Sequence, residues 1–149
     1  MTGVPEGLRG WLLVLLLYLV FISTTSAWRV LLSVDAVSSL QFREERAVSE
    51  SERQYLRGSR NAHYAVAAAS AVMCVYSIIT LALALKRGAL AKPALTSCCG
   101  AIVVYRVLIT GALGLDDFIA AGIYVGVALM WLTYLNRSQR VLNTFARKA

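Results

Sequence analysis

Histidine occurs once, at His63, and neither cysteine nor an acid cluster stands beside it, so the sequence assembles no metal-ligand set. Cysteine is nearly as sparse. Cys74, Cys98 and Cys99 form no C-x-x-C, and adjacent cysteines rarely bridge each other, which excludes a redox motif and a disulfide framework. No nucleophile–base pair, phosphate-cradling loop or cofactor motif is present. The expectation is a protein that is not an enzyme and uses no cofactor. Acids are few as well, 8 against 15 Lys and Arg. A pI of 9.7 would suit a nucleic-acid binder, but the basic residues flank apolar runs, which explains the charge without one.

Apolar length is what the chain has in excess. At 58% hydrophobic residues and a mean hydropathy of +0.65, 149 residues are too apolar for a soluble domain. Four runs stand out, at about 11–32, 63–85, 94–115 (broken by one charge) and 118–135. At 1.5 Å per residue each reaches across a hydrocarbon layer of about 30 Å, and in lipid a single segment satisfies its own backbone only as a helix. The predicted fold is therefore all-α: a polytopic membrane protein with four transmembrane helices in one bundle, a single domain over 1–149. Residues 33–61 are expected as an external loop and 136–149 as a basic tail. A cleaved signal peptide is the other reading of the first run, with Thr25-Ser26-Ala27 as the processing site. The run continues through Trp28 to Leu32, which favours a retained helix.

Orientation follows from Lys and Arg. The N-terminus, second connection and tail carry eight, whereas the opposite side carries six, counting Arg29. Both termini are expected in the cytoplasm. Within 33–61, Ser49-x-x-Glu52 reads as a capping box opening an Arg-rich helix that runs into the second span. The charges there read as a solvated face.

Packing signals are of two kinds. The small residues Ala65 to Ala71 and Gly122-x-x-x-Gly126 permit close helix approach, either between the second and fourth helices or in a dimer seam. Cys98 and Cys99 read as small packing residues, with acylation as the other possibility.

Arg106 breaks the membrane rule. Counted from Ala94 it lies roughly 18 Å from the inner edge, where an arginine costs at least about 2.5–3.5 kcal/mol. Either it snorkels to water, or it builds a buried polar site for an anion, a headgroup or a partner's acid. The same counting brings Ser23, Thr24, Thr25, Ser70 and Tyr124 to a similar level, with Thr110 one turn away on its own helix. No acid lies at that depth. Asp116 and Asp117 are about 15 Å further along the helix. In the tail, Val141, Leu142 and Phe145 share a helical face while Arg140, Arg147 and Lys148 spread towards anionic headgroups. That pattern suggests docking on the inner membrane surface, with Arg140, Val141 and Phe145 as its contacts; the simpler reading is a frayed end.

The tail Trp131-x-x-Tyr134-Leu135-x-x-Ser138-x-Arg140-Val141-x-x-Thr144-Phe145 resembles the closing signature of the bacterial family called domain of unknown function 2569. Gly10-Trp11-Leu12-Leu13 resembles its opening, with Arg9 where a second Gly is common, and Asp116 or Asp117 its acidic position. The resemblance implies a small four-helix protein of the bacterial inner (cytoplasmic) membrane, and no activity or catalytic residue. The functional expectation is a structural, assembly or partner-binding protein, in contact with the bilayer and with another membrane protein or a second copy. The alternative is a small oligomeric transporter or channel subunit using Arg106.

Overall fold

The computed structural model describes residues 11–86, 90–113 and 118–138. They form four helices, α1 (Trp11–Arg46), α2 (Glu50–Lys86), α3 (Ala91–Leu113) and α4 (Phe118–Arg137). All four are long and apolar enough to cross a membrane. The architecture is the all-α four-helix bundle that the apolar runs predict.

Its side chains are sorted for lipid. Ser26, Ser33, Ser70, Ser77, Thr80, Ala84, Cys98 and Cys99 are buried, whereas Leu17, Leu31, Val72, Ile78, Leu108 and Ile119 face outwards. In hydrocarbon, large apolar side chains gain little by leaving the solvent, and small ones let backbones approach. Larger core residues, Leu15, Leu19, Ile22, Ile102 and Trp131 among them, fill the remaining space.

Buried positions along the α1–α2 hairpin follow a seven-residue rhythm. Leu19, Ser26 and Ser33 of α1 are spaced by sevens, with Ala47 just past its end two steps further on; on α2 Leu56, Ser70, Ser77 and Ala84 are spaced by sevens or a multiple. Val66, Met73 and Thr80 supply the second row of the same repeat. This spacing keeps one stripe of each helix turned inwards over many turns.

The seam corrects the expected loop at 33–61: α1 continues to Arg46 and α2 starts at Glu50. Only Ala47, Val48 and Ser49 connect them. Ser49 caps α2 by accepting the Glu52 N–H at 3.2 Å, the forward half of the capping box. Arg53 Nε donates to the Ala47 carbonyl at 3.2 Å, and Ala47 N donates to Glu44 O at 3.3 Å. Beyond the apolar run the helices hold because Val37, Ala47 and Leu56 remain buried and Glu44 meets two arginines across the seam.

α3 begins beside the end of α2. Pro93 sits in its first turn, where the missing N–H has no intrahelical acceptor to lose. Ser70 Oγ and Tyr105 OH are 2.9 Å apart, and Tyr76 OH bonds Ser97 Oγ nearer the other end, so α2 and α3 run antiparallel. Eight residues past Tyr105, Leu113 falls opposite Ala62. Residues 50–61 thus extend about 18 Å past the last described turn of α3.

Gly122 and Gly126 correct a second expectation. α4 packs on α3, and its extended contacts do not include α2. A Cβ added at either glycine would meet nothing within 4 Å. The small-residue stripe of α4 therefore faces outwards, and Ser70 and Val66 of α2 are buried elsewhere.

Candidate functional site

Arg106 is 3% exposed, and aromatic rings hold it there. Its guanidinium carbon lies 3.6 Å from the centroid of Tyr124 and 5.5 Å from that of Tyr105. Tyr124 is itself fixed: its ring stacks with Phe21 at 6.1 Å and 13°, and its carbonyl accepts the Tyr18 hydroxyl at 3.3 Å. Ser70 steadies Tyr105 through its 2.9 Å hydroxyl contact.

Rings alone do not compensate this charge. A cation–π contact contributes about 0.5–2 kcal/mol, less than the 2.5–3.5 kcal/mol minimum for a mid-membrane arginine. Among the described residues Arg106 has no carboxylate partner, and its buried Nε has no hydrogen-bond partner. What remains is a partly open cavity of about 440 Å³ onto which Arg106 faces. Thr25, Trp28, Arg29, Leu32 and Ser33 of α1, His63 and Val66 of α2, and Tyr124 of α4 complete its lining. Among the described residues its lining carries the Arg106 and Arg29 guanidiniums and the His63 imidazole, and no carboxylate.

The six residues expected to form a polar layer divide accordingly. Tyr124 touches the guanidinium, and Ser70 acts at one remove through Tyr105. Thr110 turns back on its own helix, donating to the Arg106 carbonyl at 2.9 Å. Ser23 contacts Cys74 at 3.6 Å, and exposed Thr24 donates to Val20 O at 2.9 Å, so neither reaches the arginine. Thr25 is expected at this depth, and the residues missed on α1 carried a signal: Trp28, Arg29 and Leu32 follow Thr25 at i+3, i+4 and i+7 on one helical face. Arg140, Val141 and Phe145 of the tail, like Asp116 and Asp117, lie outside the described residues.

A second polar cluster sits on the α1–α2 extension. Glu44, with a side chain 13% exposed, is 3.1 Å from Arg57 and 2.7 Å from Arg60. Arg46 lies over the Phe42 ring at 3.9 Å. This cluster ties the two helices together beyond the apolar runs.

A four-helix bundle of membrane-spanning length with a partly open, charge-bearing cavity is the class these features define. The chain belongs to the family described as Protein of unknown function (DUF2569), whose signature matches residues 5–146. No curated protein and no solved structure matches it.

Proposed function

We propose that the protein is an assembly or partner-binding component of a bacterial inner membrane, with both termini in the cytoplasm. The observation that carries this reading is the α1–α2 hairpin. Helices of 36 and 37 residues are about 54 and 56 Å long, against a hydrocarbon layer of about 30 Å. The excess forms a braced arm in which Glu44, Arg57 and Arg60 hold the two helices in register. At its end Val48 is 96% and Tyr55 76% exposed, presenting apolar and aromatic surface where a partner protein can reach it. The bias of eight Lys and Arg against six supports placing the termini inside and this arm outside.

The test is photo-crosslinking in native membranes, with a photoreactive residue at Val48 or Tyr55 and a lipid-facing control at Leu108. A discrete protein adduct from the two hairpin positions, missing from the control, is expected. Equal, diffuse labelling at all three sites would remove the assembly reading. A transport role is favoured by one observation, the buried Arg106 facing a cavity. It predicts that Arg106→Leu abolishes solute flux in vesicles while leaving the hairpin adduct unchanged.

A further inference from the structure

We propose that the Arg106 cavity seats the phosphate group of a bilayer phospholipid. This goes beyond the partner-binding reading and does not depend on it. The first ground is the arginine itself, 3% exposed, directed at the cavity and lacking a carboxylate partner among the described residues. A planar guanidinium presents paired donors that match a phosphate oxyanion. The Tyr124 and Tyr105 rings fix the plane in which those donors lie. His63 brings an imidazole to the same cavity, and Ser33 brings a hydroxyl.

The second ground is where the cavity lies. Arg106 is seven residues from the last described residue of α3, and the α1 wall is formed just before the helix leaves the apolar run. Trp28, 61% exposed, and Leu32, 52% exposed, carry that wall into the lipid-facing surface. A group entering there keeps acyl chains against exposed Leu31 and Leu32 while its phosphate reaches Arg106. A soluble phosphate would share the polar contacts and make none of the apolar ones. The bilayer-facing wall therefore assigns the phosphate to a lipid.

The experiment uses the full chain, purified in mild detergent and titrated with dioctanoyl phosphatidylglycerol. Bound lipid is counted by native mass spectrometry. One tightly held lipid per chain is expected. Arg106→Leu should weaken it roughly ten-fold or more, the size of one lost charge-assisted hydrogen bond. Thr25→Trp keeps the arginine and fills the cavity, so it should weaken binding as well, even if the leucine variant folds poorly. Equal lipid retention by wild type, Arg106→Leu and Thr25→Trp overturns the proposal.

Three further outcomes also count against it. Displacement by an equal concentration of inorganic phosphate reassigns the site to a soluble source. Tight binding that emerges only in an Asp116→Asn, Asp117→Asn variant makes the counter-charge one of the chain's own carboxylates. Co-purification of a stoichiometric protein that Arg106→Leu releases, with no lipid retained, makes it a partner's acid.

Discussion

The guanidinium of Arg106 lies 3.6 Å from the centre of the Tyr124 ring, so the charge on α3 is held by a side chain of α4. The contact thereby joins α3 to α4 through a polar group. The ring also stacks with Phe21 of α1, which makes Tyr124 the common neighbour of three helices.

Replacing each member of that pair should have opposite effects. Arg106→Leu is expected to leave thermal stability in detergent unchanged or raised, because it removes a desolvated charge whose rings compensate only part of its cost. Tyr124→Leu strands the charge and should lower stability by about 1–2 kcal/mol. Circular dichroism melts of the two variants check this, and a stabilised Tyr124→Leu would contradict it.

Glu44→Gln should loosen the extension and nothing else. Its two arginines are partly exposed, so screening keeps the effect at about 1 kcal/mol or less. Faster hydrogen exchange over residues 40–57, with 66–84 unchanged, is the expected pattern. Raising the salt concentration should bring the wild type towards the variant.

Gly126→Ala should fold as well as the wild type or better. The added methyl meets nothing within 4 Å, and alanine is favoured over glycine inside a helix by about 0.5–1 kcal/mol. A clear loss of stability in dilute detergent would show that the stripe packs against something within the single chain.

Thiol labelling should separate the three cysteines. Cys98 and Cys99 are fully buried, and Cys74 is half-buried beside Ser23. A small, membrane-permeant maleimide is expected to modify Cys74 first, and the other two only on unfolding. Rapid modification of Cys98 or Cys99 in the native protein would mean that the α2–α3 packing is wrong.

Topology can be read directly. A reporter active only in the cytoplasm should work when fused after Ala149 and fail when inserted near Ser51, in the first turn of α2. The opposite result would reverse the orientation and put the hairpin inside the cell.

The sequence makes the four spans legible because hydropathy is a local property and each run is long. It makes the Ser49 cap legible for the same reason, and the Glu52 N–H does meet that hydroxyl. The helical extension is less legible, because the apolar run ends at Leu32 and polar and charged residues follow. Yet from Trp11 to Arg57 there is no glycine or proline, and the seven-residue spacing of Ser26, Ser33 and Ala47 continues past the run. Depth along a membrane helix is countable, and it singled out Arg106 and Tyr124. Direction around the axis is not fixed by counting. Thr24 and Thr25 differ by one residue and about 100°, and only Thr25 lines the cavity.

The continuity of α1 through the membrane exit makes the hairpin a lever. Between Ser33, on the cavity wall, and Arg46, near the tip, the helix runs unbroken for about 20 Å, without glycine or proline. A tilt of about 10° at the wall would swing the far end by roughly 3 Å. Whatever fills or vacates the space beside Arg106 therefore acts on a helix that carries the displacement about 20 Å to the tip. On the orientation proposed above, occupancy of the cavity would be read outside the bilayer as displacement, with no solute crossing.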